Sequence, residues 1–162
     1  LFGLFAFTIH ILVAFGLPLV AFGVDGWNLP MQIAGTSIPY PFTFLQGILV
    51  NLGVIYFVLF AIIGLTLLLS SKMRSPYLVL IVLVPVLFIP MFLSANGTTG
   101  AYNLTLFLLP YYAVQPQFGS YISYQLGSLV LDAFSTRTIL YAVLTVCMLP
   151  LAKRGFKKHQ VS

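Results

Sequence analysis

Charge is what this chain has least of. Two carboxylates, Asp25 and Asp132, and seven basic side chains occur in 162 residues, so 6% of the chain is charged, against roughly 25% in soluble domains. No Asp, Glu, Lys or Arg falls in 1–24, 26–71, 75–131 or 138–152. Two carboxylates in separate loops offer no paired general acid and base. Neither a G-x-x-x-x-G-K-[ST] phosphate loop nor an H-E-x-x-H helix is present. A single cysteine, Cys147, excludes an intrachain disulfide and a Cys-rich metal framework. His10, His159 and Cys147 lie too far apart for ligand spacing. These absences argue against catalysis on this chain, a water-soluble fold, a disordered chain and nucleic-acid binding.

What is present is apolar surface. Hydrophobic residues make up 60% of the chain, and a bilayer span needs about 20 of them in succession. The first three charge-free gaps are each long enough, so the chain reads as an integral membrane protein. Four spans are expected: A over about 1–23, B over 43–69, C over 77–93 and D over 136–151. The segment 24–42 carries closely spaced turn signals (Gly26, Pro30, Gly35, Pro39) and reads as a loop. Pro85 and Pro90 predict a kinked span C.

Residues 95–135 break the pattern. LTLFLLPYYAV (104–114) is apolar but too short to cross, and QFGSYISYQLGSLVL (117–131) is amphipathic and marginal in length. Two short helices dipping into the outer leaflet are expected over 104–131, forming a re-entrant pair. Tyr111, Tyr112, Tyr121 and Tyr124, with Tyr102, suit the headgroup layer and are candidates for an outer cap. The fold class is therefore an all-α polytopic membrane protein, a single domain over 1–162 with about four spans and an outer re-entrant element.

The net charge of +5 reflects topology more than an anionic partner. Lys72 and Arg74 sit together, and Lys153, Arg154, Lys157 and Lys158 crowd the C-terminus. With both clusters cytoplasmic, B and C form a hairpin whose ends lie outside, D returns inward and A runs outward. Only Arg137 departs from this scheme.

His10, near the middle of A, is a functional candidate by default. A neutral imidazole bonded to a neighbouring helix is the plainer reading, because no intramembrane carboxylate accompanies it. Gln46, Gly53 and Gly64 share one face of B, with Asn51 adjoining. Small and polar residues so placed mark helix packing, or else a polar stripe along a translocation path. Asp132 and Arg137 flank the start of D as a local ion pair, with Ser135 and Thr136 as candidate caps.

The order of inward-to-outward span, outer loop, hairpin with a basic turn, outer element, final span and basic tail resembles the C-terminal part of a bacterial type-2 ATP-binding-cassette (ABC) transporter permease. The stretch LPYYAVQPQFGSYISYQLGSLVLDAFSTRTILYAVLTVCMLPLAKRGFKKHQV (109–161) looks especially like such permeases. Spans A to D would correspond to the family's third to sixth, and 104–131 to its outer re-entrant helices. The family's first two spans and its coupling helix have no counterpart in this sequence, so a longer polypeptide is expected on the N-terminal side. The resemblance implies a second permease half and a separate ABC ATPase subunit carrying ATP and magnesium. It also implies alternating access, usually export, and a bacterial inner-membrane location with the C-terminus cytoplasmic. The competing class is a non-catalytic four-span accessory or assembly subunit of another membrane complex. A secondary transporter would want intramembrane carboxylates or an inverted repeat, and neither is seen.

Overall fold

The computed structural model describes residues 2–33 and 36–159, the side chains of 18, 22, 33, 36, 37, 158 and 159 apart. The start of span A at Leu1, the turn signal at Gly35 and the last residues of the basic tail lie outside the described residues. Among the described residues the chain is mostly helical and has three helices long and apolar enough to cross a membrane, the architecture of a helical membrane protein.

These three are α1 (Phe2–Phe22), α2 (Phe44–Ser70) and α6 (Ala133–His159), matching spans A, B and D. Segment C forms α3 (Pro76–Phe88), followed by a 3-10 turn (Ile89–Phe92). Pro85 and Pro90 withhold backbone donors there, and the apolar helix Pro76–Phe92 is shorter than the other three.

The 27 residues of α2 extend about 40 Å, more than a hydrocarbon core of about 30 Å, so α2 is long enough to cross with some tilt. Its N-terminus shows how a helix end is kept satisfied near lipid. The Gln46 side chain accepts from the Thr43 amide at 3.0 Å and the Thr43 hydroxyl from the Gln46 amide at 3.3 Å, a capping box. The amides of Phe44 and Leu45 donate to the carbonyls of Leu29 and Trp27, both at 3.1 Å. Residues 24–42 thus fold back over α2. They carry a small antiparallel hairpin of β1 (Gln32–Ile33) and β2 (Thr36–Ser37).

α2 and α6 run side by side in the same direction. Near their starts, Val54, Val58 and Ala61 pack with Phe134 and Tyr141. Near their ends, Gly64 approaches Met148 and Ser71 abuts Gly155. The loop and the outer element join this core through aromatic rings: Tyr40 of the loop meets Phe134 edge-on at 5.2 Å, and Phe118 of the outer element stacks on Phe134 at 4.9 Å. Because α2 and α6 are parallel, Lys72 and Arg74 share one end of the molecule with Lys153, Arg154 and Lys157. Asp25 and Asp132 lie at the other.

The outer element corrects the all-α expectation. Two short helices, α4 (Ala101–Leu108) and α5 (Pro110–Ala113), occupy its first half. Its second half is an antiparallel hairpin, β3 (Ser123–Leu126) with β4 (Leu129–Asp132), where an amphipathic helical segment was expected. Gly127 adopts φ 64° at the first position of the two-residue turn, a backbone region open to glycine. Alternating burial around Tyr124, with Ser123 and Gln125 exposed, is the strand period rather than a helical one.

Candidate functional site

Thr8 and Tyr56 set the angle at which α1 meets α2. Their hydroxyls lie 3.0 Å apart, and the rings of Phe7 and Tyr56 meet edge-on at 5.5 Å. Beyond this contact the two helices part, leaving a cavity of about 760 Å³. Its walls are Phe7, Ile11, Ala14 and Phe15 of α1, with Phe44, Ile48, Leu52 and Ile55 of α2. It is also lined by Met31 from the loop and by Val114, Pro116 and Phe118 from the outer element.

Three polar residues interrupt the apolar lining: His10, Gln32 and Asn51. The Asn51 side-chain carbonyl is shielded from solvent and has no hydrogen-bond partner. A buried acceptor left unpaired costs about 1–3 kcal/mol. Volume, apolar walls and a few polar groups are the attributes of a small-molecule site. Among the described residues no group of His, Cys, Asp and Glu is placed to hold a metal ion.

The candidates on span B separate into three roles. Asn51 joins His10 in the cavity. Gln46 is exposed and occupied in the α2 cap. Gly64 is buried against α6, where an added Cβ would sit 3.4 Å from that of Met148, so it serves packing within the chain. Gly53 lies at the edge of that face, with nothing within 4 Å of an added Cβ.

The tyrosines act mostly as fasteners. Tyr112 donates its hydroxyl to the Leu93 carbonyl and Tyr124 to that of Leu104, the latter at 2.9 Å. Tyr111 packs edge-on against Tyr112, and Tyr121 stays exposed beside Tyr40. Burial pushes the phenols of Tyr40 and Tyr124 above their ordinary pKa. From the outer element it is Val114, Pro116 and Phe118 that line the cavity, residues that sequence reasoning passed over because apolar residues in an apolar chain carry no contrast.

Arg137 departs from its expected pairing with Asp132. The Asp132 carboxylate accepts from the amides of Phe134 and Ser135 at 3.0 and 3.4 Å and so caps α6, in place of Ser135 or Thr136. Arg137 is wholly buried and reaches the C-terminal end of α4. Its Nε donates to the Phe107 carbonyl at 3.1 Å and one terminal nitrogen to Gln117 Oε1 at 2.5 Å, while Nη1 has no partner. The Tyr141 hydroxyl donates to Leu108 O at 2.6 Å beside it. Carbonyls that α4 cannot satisfy internally are thus met by α6, and the cation sits at the negative end of the α4 dipole. A lone cation in a charge-free stretch was the available signal.

Compared with known proteins, the chain matches no family model, no curated protein and no solved structure.

Proposed function

We propose that the chain is the membrane-spanning permease subunit of an ATP-driven ABC transporter, working as an exporter in a bacterial inner membrane. In this reading α3 with its 3-10 turn crosses as a fourth span, and a second permease half completes the path. ATP and magnesium bind a separate ATPase subunit, because this sequence has no phosphate loop. The observation that supports the reading is the cavity between α1 and α2, its apolar walls interrupted by His10, Gln32 and Asn51 and bordered at one end by residues of the outer element. Such a site suits a substrate with an apolar body and a hydrogen-bond donor.

Purification in mild detergent from the native membrane provides the test. An ATPase with a phosphate loop is expected to stay bound, and the isolated chain to neither bind nor hydrolyse ATP. Within the assembled complex, Asn51→Leu and Phe118→Ala should change substrate-stimulated hydrolysis. Tyr111→Ala with Tyr112→Ala should alter transport if the outer element gates. Hydrolysis by the isolated chain would overturn the division between permease and motor.

One observation favours the accessory-subunit reading. None of the spanning window of α1 is buried, and Phe2 and Val20 are more than four-fifths exposed. Recovery with a membrane complex that lacks an ATPase would decide for that reading.

A further inference from the structure

The basic end of the molecule holds a second cavity, of about 390 Å³, on the groove between α2 and α6. Leu67 of α2 lines it with Leu149, Ala152, Lys153, Phe156 and Lys157 of α6. The five α6 residues recur at helical spacing and share one face. Along that face chemistry changes in order: Leu149 and Ala152 lie deeper along the helix, and Lys153, Phe156 and Lys157 toward its end. The graded stretch from 149 to 157 covers about 12 Å at 1.5 Å per residue. Lys153 and Lys157, four residues apart, are neighbours on the helix surface. Both carboxylates of the chain, Asp25 and Asp132, lie at the opposite end, so no acidic side chain competes for the two ammonium groups.

We infer that this groove binds an anionic phospholipid, its phosphate between Lys153 and Lys157 and an acyl chain along Leu67, Leu149 and Phe156. Charge decides the headgroup: paired lysines without a counterion favour a net-negative lipid over a zwitterionic one. The apolar floor decides between a lipid and a free anion. Leu149 and Phe156 are 45% and 40% exposed, and only a ligand with a hydrocarbon portion covers them. Beside the groove, Ser71 of α2 lies against Gly155 of α6. The inference does not depend on the transport reading.

Native mass spectrometry of the detergent-purified protein tests it, with phosphatidylglycerol and phosphatidylcholine of matched acyl chains added separately. Retention of phosphatidylglycerol over phosphatidylcholine is expected. Lys153→Gln with Lys157→Gln should weaken it by about thirtyfold, the factor two basic side chains near a bilayer surface supply. Lys153→Arg with Lys157→Arg should keep it, and an unchanged unfolding midpoint shows that each variant folds. Lys72→Gln with Arg74→Gln, at the same end but off the groove, should leave retention intact. Equal retention of both lipids would overturn the inference. So would equal losses in the two glutamine pairs, which would mean diffuse attraction, or displacement of the lipid by excess inorganic phosphate, which would mean a headgroup site without a groove.

Discussion

Arg137 shows how much one side chain carries here. Its guanidinium spans from α6 to the last turn of α4 and to Gln117, so removing it strands the buried Phe107 carbonyl and the half-buried Gln117 amide oxygen at once. Arg137→Met is expected to destabilise the protein by about 3 kcal/mol, since each orphaned acceptor costs about 1–3 kcal/mol. Arg137→Lys should recover only part, because an ammonium cannot reproduce the fork. Thermal unfolding in detergent measures both, and an unshifted midpoint for the methionine variant would refute the role. Tyr124 carries a pH signature. Burial raises its folded pKa above the ordinary 10.0, so the ionised form is favoured in the unfolded chain. That contribution to stability is complete below pH 10.0 and is lost as pH climbs through the raised value. Tyr124→Phe should lose about 1 kcal/mol at neutral pH, the hydrogen bond to Leu104, yet unfold less steeply with alkali. Tyrosinate absorbance followed against unfolding reads this out. Of the residues singled out by sequence, His10 and Asn51 line the same cavity. Gln46 is diverted because Thr43 precedes it at capping distance. Periodicity tells which face a residue occupies, not what lies opposite.

At the scale of elements, α2 and α6 are joined by small residues. A Cβ added at Gly155 would overlap Ser71 Oγ and come within 2.7 Å of Ser71 Cβ and 3.3 Å of its carbonyl. Gly155→Ala is therefore expected to cost about 1–3 kcal/mol by overpacking. Adding Ser71→Gly to it should restore most of the loss. Gly53→Ala, by contrast, meets nothing within 4 Å and should stabilise α2 by up to about 1 kcal/mol through helix propensity. Unfolding midpoints of the four proteins check the pattern, and equal losses at the two glycines would sink it. Most of the helix architecture was legible, because 20-residue apolar runs ended by charge or proline leave little choice. The ends of α1 and α2 were anticipated within a residue or so. α6 was underestimated at both ends: Asp132 starts it early as a cap, and it continues through the lysines, which are good helix formers. The hairpin at 123–132 was missed although Gly127-Ser128 between alternating residues is a turn signal, because its apolar residues were weighed as a helical face.

Across the whole molecule, charge is sorted by end. The parallel course of α2 and α6 brings five described basic residues together, while both carboxylates and Arg137 lie at the far end. In the topology proposed, the basic end is cytoplasmic. Single cysteines in a Cys147→Ser background test this with an impermeant thiol reagent. Asn28→Cys and Thr98→Cys should label in intact cells and Met73→Cys only after permeabilisation; the reverse would invert the molecule.

The clasp between α6 and α4 also bears on biogenesis. Arg137 lies 30 residues after Phe107, the carbonyl it satisfies. At about 5–20 residues per second a ribosome needs a few seconds to cover that distance. During that interval α4, only eight residues long, has emerged ahead of the side chain that caps it, and a helix so short is not stable by itself. The outer element is thus finished by the helix that follows it, and its completion reports that α6 has packed into place.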